Sequence, residues 1–227
     1  GDALRAAASL TTDPQRAEIL LNEAVEVYDE AACPLSAGDA LARLGQLALA
    51  RGATDEAGAR LRRALSRARA VGDMLAEARA QFGLASLAQR AGALPEAERR
   101  ARRALARLDL LAEPGAASVR LTLATLKLRR GAIAEAAEDA RVAAEALRAQ
   151  GRDDAALVAD ALQAPGLAES HDWAGLDTVC ERLGPTLSGP VQADADVISA
   201  LKLAARLAES AGRLPLAQSL RALLVAA

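Results

Sequence analysis

Aromatic side chains are almost missing from this chain: Tyr28, Phe82 and Trp173 are the only three among 227 residues. A core without rings must be filled by alanine and leucine. These are good helix formers with small or unbranched side chains, so they suit closely stacked helices and suit a β-sheet badly. Cysteine is as scarce. Cys33 and Cys180 lie far apart and form no CxxC pair, which excludes a cysteine-built zinc site or a disulfide framework and leaves the expectation of two free, buried thiols in a reducing cytoplasm. No stretch approaches the roughly 20 uncharged residues of a membrane span, and Gly1–Leu10 lacks the basic-then-apolar order of a signal peptide. The expectation is a soluble cytoplasmic protein with no membrane partner. The chain opens on Gly1 rather than Met, as a segment excised from a longer protein would.

A surplus of charge of either sign is also absent. Lys and Arg number 28 against 30 Asp and Glu, for a formal charge of −2, and the two signs are mixed along the chain. That balance, with no aromatic platforms, disfavours nucleic acid as a partner.

What is present is a cassette of about forty residues. It is anchored at Gly52, Gly92, Gly131, His171 and Gly212, a period of 39 to 41. Five residues after each anchor stands a small or apolar residue: Ala57, Ala97, Ala136, Leu176, Ala217. Four and seven residues further come Leu61/Ala64, Ala101/Ala104, Ala140/Ala143, Cys180/Leu183 and, more loosely, Arg221/Leu224. Before the first anchor, Ala40, Leu44 and Leu47 form an apolar stripe at helical spacing within Asp39–Ala50. After it, Asp55 opens a second stripe, Ala57, Leu61, Ala64, Leu65 and Ala68. Each cassette is therefore a helical hairpin, and hairpins repeating at this period stack into a solenoid that buries its core between neighbouring units. We expect one array over 1–227, all-α, with units at 35–73, 74–113, 114–152, 153–190 and 191–227. An incomplete unit, 1–34, leads it. There the first helix is only Asp2–Leu10, and Asp13-Pro14 supplies the cap and first-turn proline of the second. Pro165-Gly166 should kink or split a helix, and the Gly184-Pro185 and Gly189-Pro190 pairs should enclose a loop where the array bends.

The pattern resembles the tetratricopeptide repeat (TPR) family. Leu44-Gly45 matches the family's Leu-Gly pair, Leu84-Ala85 and Leu123-Ala124 match with alanine for glycine, and the alanine triplets fit its second helix. Two features depart from it: the aromatic positions hold Ala48, Ala88 and Lys127, and the period exceeds the family's roughly 34 residues. Versions near forty residues look like those of bacterial signal-transducing ATPases and large transcription activators. The resemblance implies a right-handed superhelical solenoid serving as a sensory or scaffolding arm.

Chemistry finds little purchase. His171 is the only histidine; it falls on the turn where other units carry glycine, and Asp172 falls on the N-cap of the following helix. With no convergent cysteine, a metal site lacks ligands. Serine nucleophiles lack a base, and no phosphate-binding or Gly-x-Ser-x-Gly motif occurs. A non-enzymatic protein without cofactor or metal is expected.

In the family, first helices line the inner groove. Helical phase then places Gln46 there from one unit, Arg79, Phe82, Ser86, Gln89 and Arg90 from the next, and Leu121, Thr125 and Arg129 from the third. Asp39, Ala42 and Leu49 share the first of these arcs. Phe82 and Leu121 offer apolar anchors, the amides and hydroxyls can bond a peptide backbone, and the arginines can clamp carboxylates. The implied partner is a protein or peptide segment, acidic in character. In the competing reading Phe82 and Leu121 pack between units and the arginines solvate the rim. A small effector bound near Pro165–Trp173 is also compatible with the chain, as is nucleic acid on an outer stripe of Arg62-Arg63, Arg102-Arg103 and Arg141. Those outer arginines could equally pair with nearby carboxylates, as Arg102 could with Glu98.

Overall fold

The computed structural model describes residues 1–31, 33–184, 191 and 194–225. Among them every regular element is an α-helix, and no helix is long and apolar enough to cross a membrane. The chain divides into two compact units, Gly1–Glu113 and Pro114–Ala227. The first holds α1 (Asp2–Leu10), α2 (Pro14–Glu30), α3 (Pro34–Ala50), α4 (Thr54–Val71), α5 (Met74–Arg90) and α6 (Leu94–Leu110). The second holds α7 (Ala116–Arg129), α8 (Ile133–Ala149), α9 (Asp153–Glu169), α10 (Trp173–Leu183), α11 (Ala195–Ser210) and α12 (Leu214–Val225).

Each of the five anchored hairpins turns in the same way, unlike α1–α2, where Thr11 after the first helix is extended. The anchor residue takes a left-handed backbone, with φ of 83° at Gly52, 74° at Gly92, 84° at Gly131, 75° at Gly212 and 60° at His171. The N–H that follows the anchor then reaches back to a carbonyl of the first helix: Ala53 to Ala48, Ala93 to Ala88, Ala132 to Lys127, Asp172 to Leu167 and Arg213 to Ala208, all within 2.8–2.9 Å. This is the bonding that satisfies orphan carbonyls where a helix ends on a left-handed residue. Glycine adopts that backbone without strain; His171 does so at a cost. Asp172 caps α10 as expected, accepting from the Gly175 N–H at 2.9 Å, and Asp13 caps α2 through the Gln15 N–H at 2.9 Å.

Packing follows the cassette. Ala57, Ala97, Ala136 and Leu176 are fully buried, and Ala217 is 1% exposed. In unit one α3 packs on α4 and α5, α4 on α5 and α5 on α6; in unit two α8 packs on α7 and α9, and α9 on α10 and α11. Leu61 of α4 is a knob between two first helices. A Cβ at Gly45 of α3 would lie 2.5 Å from its side chain, and so would one at Gly83 of α5. The Leu-Gly pair is thus a volume exchange: glycine faces leucine here, whereas Ala85 and Ala124 have Ala101 and Ala140 at the register position of Leu61.

Buried carboxylates tie hairpins together. Glu77 of α5 accepts from Arg69 of α4 at 3.1 Å and Arg107 of α6 at 2.8 Å. Asp160 of α9, 1% exposed, accepts from Arg148 of α8 at 2.7 Å and Arg182 of α10 at 3.1 Å. In both, a first helix is joined to the second helix before it and to the one after it.

Two expectations need amendment. Helix α3 begins at Pro34, not at Asp39, because Pro34 occupies a first-turn position where a missing N–H costs nothing. Helix α9 is not split at Pro165-Gly166: it runs unbroken to Glu169, and the Ser170 N–H still bonds the Gly166 carbonyl at 2.9 Å. Pro165 and Gly166 are both buried, and a Cβ on Gly166 would lie 2.2 Å from that of Ala137. Packing against α8, α10 and α11 holds the helix where its local sequence would break it. The loop expected from Pro185 to Pro190 lies outside the described residues.

Candidate partner-binding surface

The nine residues assigned to an inner groove fall six in unit one and three in unit two. In unit one the most prominent feature is a charge cluster from three first helices. Asp39 of α3 is 4% exposed. Its carboxylate accepts from Arg43 Nε at 3.1 Å, from Arg5 of α1 at 3.4 Å, and from Arg79 of α5. The three arginine side chains are each about one-third exposed. Asp2 joins from the rim, 3.3 Å from Arg5, and accepts from the Tyr28 hydroxyl at 2.7 Å. Three guanidiniums against two carboxylates leave one positive charge in excess.

Next to this cluster in the sequence of α5 stands Phe82, half-buried, whose carbonyl accepts from the Ser86 hydroxyl at 3.2 Å. Gln46 and Gln89 are half-buried and make no side-chain hydrogen bond among the described residues. Arg90 donates to the Leu49 carbonyl at 2.6 Å, capping one of the last four carbonyls of α3. Ala42 and Leu49 are buried and line nothing. A first helix flanked by two neighbours has a narrower free arc than helical phase alone suggests.

In unit two the hydroxyl of Thr125 turns back to the Leu121 carbonyl at 3.2 Å. Leu121 packs against the alanine clusters joining α7, α8 and α9. Arg129 holds Asp196 of α11 in a bidentate pair, Nε to Oδ1 at 2.8 Å and Nη2 to Oδ2 at 2.9 Å. This pair helps line a cleft of about 400 Å³, with Thr125, Leu128, Leu162, Ser199, Leu203 and Arg206 among its other walls. The contribution of α11 was missed in the sequence. Its register position repeats that of α7 and α9, and this was the available signal.

All three groove arginines thus already have internal acceptors, and a ligand carboxylate must share or displace them. Of the outer arginines, Arg63, Arg102 and Arg141 are engaged as well, whereas Arg62 and Arg103 make no ion pair among the described residues. Arg102 lies 2.5 Å from Glu98, Arg63 donates to Asp29 at 3.3 Å, and Arg141 is held by Glu138 at 2.7 Å and Glu145 at 2.9 Å. Near Pro165–Trp173, the Trp173 ring is met by Arg213 at 5.4 Å from its centroid and by His171 at 5.3 Å. No group of three or more potential metal ligands occurs among the described residues. Of the two thiols expected to be buried, Cys33 is exposed because it sits on the turn before α3, and Cys180 is buried on α10, where desolvation, with Asp177 nearby, pushes its pKa up to about 11 and disfavours the reactive thiolate.

No protein-family profile and no curated protein matches the chain by sequence. Solved structures do match it in fold. Kinesin light chain TPR-like repeats from Podosopora anserina superpose with a TM-score of 0.54 at 17% identity, over 80% of this chain and 90% of that one. The fold is that of TPR-like helical repeats. Pseudomonas aeruginosa PilF matches with a TM-score of 0.63 at 18% identity, over 96% of this TPR-like chain and 89% of its own. A Rap protein complexed with competence and sporulation factor matches with a TM-score of 0.60 at 15% identity; 94% of this chain covers 58% of that one.

Proposed function

We propose that this chain is a non-enzymatic protein-interaction module that recognises an acidic protein or peptide segment on its first helices, as a sensory or scaffolding arm of a larger bacterial signalling or transcription regulator. The observation that carries the reading is the Asp39 cluster, where three half-buried guanidiniums share one buried carboxylate, with Phe82, Ser86, Gln89 and Arg90 following Arg79 along α5. A half-desolvated cation surplus next to a half-buried ring suits an acidic segment with an apolar neighbour better than any other ligand class. Gln46 extends this patch. Leu121, Thr125 and Arg129 belong to a second patch in unit two. That a TPR-like Rap protein is solved with a bound factor supports ligand recognition as the use of this fold. The experiment is selection from a displayed peptide library. Enrichment of segments pairing carboxylates with an apolar residue is expected; enrichment of basic segments would contradict the reading.

A further inference from the structure

Charge is sorted between the second helices of unit one. Helix α2 carries five carboxylates and one arginine, whereas α6 carries five arginines and three carboxylates. Part of the α2 charge is used inside the unit, because Glu18 pairs with Arg51 and Arg60 and Asp29 pairs with Arg63 and Arg67. The remainder faces outward. Ile19, Glu23, Glu26 and Glu30 follow one another at intervals of four, three and four residues, which sets them on one stripe of α2. All four are exposed, Ile19 at 52%, and the three carboxylates make no ion pair among the described residues. On α6, Arg99, Arg103, Ala106 and Leu110 follow at the same intervals of four, three and four. They too are exposed, Leu110 at 77%, and neither arginine makes an ion pair among the described residues. A single unpaired charge is ordinary on this surface, since Arg16 and Arg62 are others. The match of two stripes in spacing, opposite in sign, is not. Each stripe is also unfavourable by itself, because Glu26 and Glu30, like Arg99 and Arg103, set like charges at i,i+4, and Glu30 adds a negative charge to the C-terminal turn of α2.

We propose that α2 of one copy of this chain pairs antiparallel with α6 of a second copy along these two stripes. Run in opposite directions, Glu30 meets Arg99, Glu26 meets Arg103, Glu23 meets Ala106 one turn from Arg103, and Ile19 meets Leu110. The parallel alternative sets Ile19 on Arg99 and Glu30 on Leu110 and keeps one ion pair, so the order of the residues selects the antiparallel one. Each stripe runs about 16 Å, eleven residues at about 1.5 Å each. Because one copy carries both stripes, the contact is self-complementary, and two copies satisfy it reciprocally in the isologous manner of most homodimers. Exposed ion pairs contribute little individually, so the association is weak and sensitive to salt. The stripes lie on second helices, leave the first helices free, and stand independently of the proposed recognition of acidic segments.

The test follows the full chain by analytical ultracentrifugation at high protein concentration, with two variants: Arg99→Glu with Arg103→Glu, and Glu26→Arg with Glu30→Arg. All four residues are exposed, and circular dichroism checks that each variant is folded. The unaltered chain is expected to self-associate, with a dissociation constant that rises at least about fivefold between about 50 and about 500 mM salt as screening shortens the reach of exposed charges. Each variant alone sets like charge against like, and its self-association should weaken at least about tenfold. Mixing the two restores opposite signs at both contacts, because the first variant keeps its acidic α2 and the second its basic α6. The mixture should therefore associate to within about threefold of the unaltered chain. A monomer under all conditions, self-association indifferent to salt, or association retained by either variant overturns the proposal. A mixture of folded variants that stays monomeric also overturns it, since loss of an unrelated contact gives that result and pairing of α2 with α6 does not. Should a reversal unfold the chain, Arg99→Gln with Arg103→Gln takes its place, with loss of self-association expected and its retention overturning the pairing.

Discussion

At the scale of single residues, the chain is governed by where a methyl group is and is not allowed. Ala97 has no exposed surface, so Ala97→Leu must force extra methylenes into a filled contact. We expect a loss of about 1–3 kcal/mol, read as a lower denaturation midpoint; an unchanged midpoint would show that the position is not a close-approach site. The turn anchors give a second expectation of opposite sign. His171 holds φ of 60°, a region costing an L residue about 1–2 kcal/mol. His171→Gly relieves that cost, offset by greater freedom of the unfolded chain of about 0.4–1 kcal/mol and by the lost ring contact with Trp173. It should be neutral to slightly stabilising, while Gly52→Ala should destabilise by about 1 kcal/mol. Thermal midpoints that fall equally in both would contradict the shared turn geometry. These positions were legible in sequence because left-handed backbone and close approach restrict residue type. The acceptors of Arg79, Arg90 and Arg129 were not. Each lies 40 or more residues away in the chain, and long flexible side chains carry no periodic signal of their partners.

At the scale of elements, propensity marked the helices and packing decided their ends. Asp39 reads as a helix start, yet it lies one turn inside α3, beneath arginines from α1 and α5. Pro165 reads as a break, yet α9 is enclosed by three neighbours that outweigh one missing N–H. The attachment of α2 shows how charge works between elements. Glu18 is caught between two arginines: burial pushes its pKa up, but the bonds from Arg60 and Arg51 outweigh this and hold it below the usual carboxylate value. Asp29 is lowered by its bonds with Arg67, with Arg63 adding to the effect. Both groups have depressed pKa values in the folded state. Their contribution is complete above the unfolded values, about 3.9 for Asp and 4.3 for Glu, and is lost as pH falls through the folded ones. Stability of unit one should therefore decline on acidification below about pH 4, and Glu18→Gln with Asp29→Asn should flatten that slope. An identical acid limb in the double variant would place the titration elsewhere.

At the scale of the whole molecule, the two compact units carry the consequences. Stability in helical-repeat arrays is approximately a sum of unit and nearest-neighbour terms. Residues 1–113, which enclose their own leucine and alanine core, should accordingly fold alone with a helical circular dichroism spectrum; a featureless coil would contradict this. Trp173, the single tryptophan, packs against the core of unit two, so its fluorescence reports that unit while circular dichroism reports both. The repeat itself was readable from the chain because small residues recur at fixed offsets from the turn. The proposal that first helices hold the ligand is tested most directly by paired charge reversals against a peptide selected by the full chain. Arg90→Glu with Arg129→Glu should weaken affinity at least tenfold, while Arg62→Glu with Arg102→Glu, on second helices, should change it by less than about twofold. Intact affinity in the first pair and abolished binding in the second would contradict it.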